Sequence, residues 1–206
     1  MIKMAAAMGV AAVCLVGCGS DPAGGGSSGE PQATLDTKAK IEGFLEGKAL
    51  VMAGDDIPTH PNGFLKDQNF AQSTQCYVEV NMVLAGAQFS VDSKLGTLED
   101  APNTGDVGTC DQTKESTSVS FDSTTYVIDN VQGDAECFDF TVTYTGFGQE
   151  GRGAISADRK HMDLEIFFSD QAVGMRCADG LPGSGITSLN GNPFEGDAVQ
   201  VYAVGE

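Results

Sequence analysis

Apolar and polar residues alternate with a period of two over three long runs of this chain. Val78, Val80, Met82 and Leu84 share one side of a segment whose other side carries Glu79 and Asn81. Phe138, Phe140, Val142 and Tyr144 alternate with Asp139, Thr141, Thr143 and Thr145, and Met162, Leu164, Ile166 and Phe168 alternate with His161, Asp163 and Glu165. Shorter versions occur at Phe89/Val91, Val119/Phe121 and Val199/Val201. Alternation of this kind predicts strands with one buried and one wetted face, the mark of antiparallel sheet.

Turn signals separate these runs: Pro61-Asn62-Gly63, Pro102-Asn103-Thr104-Gly105, Gly133-Asp134, Gly183-Ser184-Gly185 and Asn190-Gly191. They supply glycine or an Asx residue where the backbone must turn sharply. Upstream, Thr34 to Gly47 predicts a short amphipathic helix, capped by Thr34 or Asp36 and apolar at Leu35, Ile41, Phe44 and Leu45. No repeat of fixed period stands out, which argues against a propeller or solenoid. The expected fold is mainly β, an antiparallel up-and-down meander with a short N-terminal helix. It closes into a barrel, or alternatively packs as a two-sheet β-sandwich, since either hides the apolar faces and limits exposed edges.

The first residues are of a different kind. Lys3 precedes an apolar stretch from Met4 to Val16, which ends in Leu15-Val16-Gly17-Cys18. The stretch is shorter than the roughly 20 residues of a membrane-spanning helix. It resembles the signal peptide and lipobox of bacterial lipoproteins. That resemblance implies cleavage before Cys18, lipidation of Cys18, and stable attachment to a bilayer through more than one acyl chain. Gly19 follows, where an aspartate in some bacteria signals retention in the inner membrane, so the implied address is the outer membrane of a Gram-negative cell envelope. Residues 1–18 are thus read as signal and lipobox, 19–33 as a flexible Gly/Ser tether, and 34–206 as one domain. At about 5–6 Å times the square root of its length, the tether holds the domain roughly 20 Å from the lipid.

Phe44-Leu45-Glu46-Gly47-Lys48-Ala49-Leu50-Val51, followed by the meander, loosely resembles the start of small lipocalin-like barrel domains of bacterial lipoproteins. There a Gly-x-Trp opens the first strand; here Ala49 stands at the tryptophan position. The resemblance implies a β-barrel with an interior ligand cavity. Val78, Met82, Phe89, Phe121, Phe138, Phe140, Ile166 and Phe168 would line that cavity, or equally fill a packed core.

Charge narrows the partners. The formal net charge is −18, and all 29 acidic residues lie beyond Cys18. Such a surface repels nucleic acid and anionic lipid head groups. Cysteine usage points to an oxidising compartment: with Cys14 and Cys18 assigned to the leader, Cys76, Cys110, Cys137 and Cys177 remain. Four such cysteines read as two disulfides with three connectivities. Cys76 shares the parity of Val78 and Val80, whereas Cys137 is out of phase with Phe138, which disfavours Cys76–Cys137. The sequential pairs Cys76–Cys110 and Cys137–Cys177 suit a meander.

Candidate chemistry is sparse. His161, Asp163 and Glu165 with nearby Ser169 invite a hydrolase reading, but there is no G-x-S-x-G elbow, and alternation makes the three a solvated strand face. His60 sits in a Pro-Asn-Gly turn. Asp129, Asp134 and Glu136 are calcium candidates by oxygen count, yet the spacing is not that of an EF-hand, and an acidic hairpin accounts for them. Glu99, Asp100, Asn103 and Asp106 form a second acidic loop. Gly148-Gln149-Glu150-Gly151-Arg152-Gly153 lacks the helix and lysine of a phosphate loop and reads as a hairpin. No metal, cofactor or catalytic residue is assigned. The expectation is a non-catalytic envelope lipoprotein, anchored through Cys18, that contacts an unidentified envelope protein; the alternative is a carrier of a small apolar ligand within the barrel.

Overall fold

Nine antiparallel strands form one curled sheet in a computed structural model that describes residues 32–54, 76–99, 109–169, 176–177, 188–189, 192–193 and 199–206. Cys18 with its leader, His60 and the loop from Asp100 to Asp106 lie outside the described residues, as does the tether up to Pro31. Residues from Ala33 onward form one compact unit.

In chain order the elements are α1 (Lys38–Leu45), β1 (Ala49–Ala53), β2 (Tyr77–Ala85), β3 (Gln88–Leu95), β4 (Thr97–Glu99), β5 (Thr109–Asp111), β6 (Thr117–Asp122), β7 (Thr125–Gln132), β8 (Cys137–Thr143), β9 (Gly148–Ile155), β10 (His161–Phe168), β11 (Ser188–Leu189), β12 (Asn192–Pro193) and β13 (Gln200–Val204). The main sheet runs β6-β3-β2-β1-β13-β10-β9-β8-β7, while β4 pairs with β5 and β11 with β12. Strands β1-β2-β3 and β7-β8-β9-β10 follow chain order in the sheet, whereas β13 returns to lie between β1 and β10, and the chain neighbours β6 and β7 stand at its two ends. This is an up-and-down meander curled into a half-barrel, consistent with a lipocalin-like barrel. The curl brings β7 back against β3, with Phe89 edge-on to Phe140 at 5.5 Å and the Tyr126 hydroxyl donating to the Gly86 carbonyl at 3.3 Å. Among the described residues, β6 and β7 are the two ends of the sheet and leave a seam between them.

The helix packs on β2 and β7, with Ile41 and Leu45 fully buried and Phe44 half-buried. It is shorter than its sequence suggests. Thr37, not Thr34 or Asp36, stands at the N-cap, because the Leu35 amide is bonded to Asp134 Oδ1 (2.5 Å) and Leu35 is buried as extended chain. Asp36 instead pairs with Lys40. At the far end Gly47 turns at φ 70° and its N–H donates to the Leu84 carbonyl, a conformation that glycine adopts without steric cost.

Met82, Phe89, Phe138 and Phe140 sit in one buried core with Leu50, Met52, Leu84, Ile128 and Leu164. Several expected inward positions differ. A β-bulge shifts the register between Tyr77 and Glu79, so Tyr77 is buried and Val78 only half-buried. Phe121 faces the seam and is 43% exposed. Val201 is half-buried, whereas Tyr202, opposite Met162, is the inward residue of β13. Ile166 and Phe168 are half-buried.

The glycine-rich segment is not a hairpin but most of β9, a central strand paired on both sides. Its glycines let neighbours approach. A Cβ on Gly153 would lie 2.7 Å from the Phe138 ring, and one on Gly151 would lie 1.9 Å from the Glu165 carbonyl oxygen. Gly151 thus has room only for hydrogen at its Cα.

Candidate functional site

The seam carries the most distinctive side-chain grouping. Val119 and Phe121 alternate with Ser118 and Ser120 on β6, and register with β3 sets Phe121 opposite Val91. From there the Phe121 ring meets Tyr144 at 6.0 Å and Phe147 at 5.6 Å, both edge-on. Phe147 stacks on Tyr144 at 4.5 Å and meets Phe168 at 5.6 Å. Phe147 is delivered by the β8–β9 hairpin, where Gly146 turns at φ 96° and the Tyr144 N–H donates to the Phe147 carbonyl. Four rings from β6, the β8–β9 hairpin and β10 therefore gather at one end of the half-barrel, with Phe121 as their exposed member.

Behind the rings are phenols and amides. Tyr144 donates to Gln149 Oε1 (3.2 Å) and Tyr202 to Gln200 Oε1 (2.5 Å). Burial pushes the hydroxyls of Tyr77, Tyr144 and Tyr202 well above the ordinary tyrosine range, and the neighbouring Tyr77 and Tyr144 raise Tyr202 further. These groups stay protonated at neutral pH, so they suit hydrogen bonding rather than proton transfer. The grouping is equipped to hold an apolar or aromatic surface.

The opposite face of β8, β9 and β10 holds the charged residues. Asp139, Arg152 and Glu165 stand in register across the three strands. Arg152 donates from Nε (3.1 Å) and Nη2 (2.7 Å) to Glu165 Oε2, with side chains 1% and 0% exposed. Cys137 and Cys177 form a disulfide across this face; the Cys177 N–H donates to Asp139 Oδ1 (2.9 Å), and Arg176 pairs with Glu150. The expected pair Cys137–Cys177 is thus present. Cys76 is also disulfide-bonded, and its expected partner Cys110 has its side chain outside the described residues.

The face of β10 expected to be solvated is wet at one end only: His161 is exposed, Asp163 half-buried and Glu165 completely buried. Desolvation raises the Asp163 carboxyl above the ordinary range, outweighing the favourable nearby His161. Ser169 lies past the far end of the strand, about 26 Å from His161 at roughly 3.3 Å per residue, so the two do not meet in a site. Sequence reasoning missed the Arg152–Glu165 pair, and its only trace is an arginine between two glycines.

Two of the calcium candidates, Asp134 and Asp129, have other partners for their carboxylates. Asp134 accepts from the Leu35 N–H and from Arg159 Nη2 (2.5 Å), which hold its carboxyl below the ordinary range. Asp129 accepts from the Asn130 N–H, and Glu136 closes the turn back to Gln132 through its own N–H. Among the described residues no three His, Cys, Asp or Glu side chains are grouped to hold a metal.

Comparison of the chain with protein-family models, with curated proteins and with solved structures finds no match.

Proposed function

We propose that the chain is an envelope lipoprotein, anchored through Cys18, whose acidic domain is a non-catalytic module that binds a partner protein at the β6/β7 seam. The anchor rests on Leu15-Val16-Gly17-Cys18, and the Cys137–Cys177 disulfide is in keeping with an exported chain. The observation that carries the binding site is Phe121, a large apolar ring 43% exposed on the terminal strand and continuous with Tyr144, Phe147 and Phe168. An exposed aromatic backed by a rigid cluster is the kind of residue that anchors interfaces.

Two experiments test this reading. Metabolic labelling with a fatty-acid analogue should mark the wild-type protein and not Cys18→Ala; absence of label in both removes the anchor. A photo-crosslinking phenylalanine analogue at position 121 in living cells should trap a discrete species that the same analogue at Ala203, exposed on the central strand β13, does not. Equal trapping at the two positions would overturn the seam as a binding site.

The phenol–amide pairs Tyr144–Gln149 and Tyr202–Gln200 favour a second reading, in which the same end of the half-barrel holds a small apolar molecule with one hydrogen-bonding group. Native mass spectrometry of protein purified from its own envelope tests it: an added mass lost on denaturation supports the carrier, and a bare mass opposes it.

A further inference from the structure

We propose that β6 is a docking edge to which an extended partner segment, alternating basic and apolar residues, adds as a further antiparallel strand. The proposal rests on the seam-binding reading above and names the class of partner.

Among the described residues β6 pairs only with β3. The Ser123 N–H donates to the Phe89 carbonyl (2.9 Å), which sets the phase of the ladder. Hydrogen bonds in an antiparallel pair alternate along the strand, so Phe121 and Val119 exchange bonds with Val91 and Ser93. The N–H groups of Ser118, Ser120 and Asp122 then point to the other side of β6, away from β3. Natural edge strands are usually blunted by proline, lysine, a bulge or a cover. The segment Thr-Ser-Val-Ser-Phe-Asp has neither proline nor lysine, its register with β3 is unbroken, and five of its six residues are exposed, Val119 being half-buried.

The two faces of the edge then specify the occupant. On one face Val119 and Phe121 continue the apolar surface of Val91 and Leu95 into the aromatic cluster. On the other, Ser120 Oγ donates to Asp92 Oδ1 (2.5 Å), Ser90 Oγ to Asp122 Oδ1 (2.7 Å) and Ser118 Oγ to Glu115 Oε1 (3.0 Å). Each carboxylate here accepts from a neutral hydroxyl. The neighbouring cation Lys94 is engaged by Glu79 at 3.0 Å. A strand laid on this edge presents alternate side chains to the two faces, so apolar residues meet Val119 and Phe121 while lysine or arginine meets Asp92, Asp122 and Glu115. The net charge of −18 adds long-range attraction for such a segment and opposes pairing of two copies of this chain.

The test uses the full-length protein in detergent and two synthetic probes, acetyl-Lys-Val-Lys-Val-Lys-Val-Lys-amide and the same peptide with glutamate for lysine. The lysine peptide should bind at least tenfold more tightly and slow hydrogen exchange at the amides of Ser118, Ser120 and Asp122. Ser120→Pro removes an outward N–H without breaking a bond to β3, and should weaken binding at least tenfold with the far-ultraviolet circular dichroism unchanged. Should that variant misfold, Asp92→Asn/Asp122→Asn serves instead, with the lysine peptide losing its preference over the glutamate peptide. Equal affinity for the two peptides, or slowed exchange elsewhere but not on β6, overturns strand addition. A specific crosslink from position 121 alongside such a result leaves the seam as a binding site and removes only this mode of binding.

Discussion

Arg152 and Glu165 face each other on adjacent strands β9 and β10, joined by two hydrogen bonds to one carboxylate oxygen and both withdrawn from water. A pair of this kind owes its attraction to a low-dielectric surrounding that would penalise either charge alone. It lies on the face of the sheet crossed by the Cys137–Cys177 bridge, away from the aromatic core.

Glu165→Gln should therefore destabilise the domain by about 3–5 kcal/mol, because the buried guanidinium loses the charged oxygen to which two of its N–H groups bond. The double variant Arg152→Met/Glu165→Leu should lose much less. Urea unfolding of the single and double variants checks this, and equal losses would show that the pair itself contributes the stability.

The Cys137–Cys177 bridge closes a loop of 40 residues. Replacing both cysteines by alanine should cost about 2–4 kcal/mol, chiefly through greater freedom of the unfolded chain. The local signature is faster hydrogen exchange at the Cys177 amide, now held to Asp139 by one hydrogen bond. A denaturation midpoint within error of wild type would mean that the face is held without the bridge.

Gly151→Ala should be more damaging than Gly153→Ala. The first would set a Cβ 1.9 Å from the backbone oxygen of Glu165, forcing the strands apart, while the second meets the side-chain atoms of Phe138 and Leu164, which yield partly. Overpacking of this sort costs about 1–3 kcal/mol or more. Thermal melts of the two variants side by side give the order directly.

Two carboxylates give opposite pH signatures. Asp134, held low first by the Leu35 N–H and then by Arg159, binds its proton less readily folded than unfolded. Its contribution is present above the unfolded value of about 3.9 and is lost as pH falls through the folded value. Asp163, raised by desolvation, binds its proton more readily folded, so stability from this group declines as pH rises from about 3.9 through its folded value. Asp134→Asn should lower neutral-pH stability and Asp163→Asn should raise it, with both differences shrinking in acid. Unfolding curves at pH 3 and pH 7 decide; the same sign at neutral pH for the two variants contradicts the assignment.

Much of this architecture was legible along the chain. Alternation located β2, β8 and β10, because a residue between core and water declares its side by polarity. The meander was legible too, since successive antiparallel strands joined by short turns tend to pair, although β6 and β7 part to the two ends of the sheet and β13 enters between β1 and β10. Parity disfavoured Cys76–Cys137 without fixing the connectivity, and the sequential pairing that suits a meander included the observed Cys137–Cys177 bridge. What alternation reports is one-sided burial, and the tertiary structure decided every place where that premise failed. Glu165 is buried on the face expected to be wet, and its partner Arg152 comes from a different strand. The strand character of β9 is invisible in Gly-Gln-Glu-Gly-Arg-Gly, since the need for glycine arises from Phe138 and the Glu165 backbone pressing on it from either side. A bulge after Tyr77 reversed the phase that made Val78 an inward residue, and the open end of the sheet left Phe121 exposed. Each of these depends on what lies opposite a residue in space, which sequence periodicity does not encode.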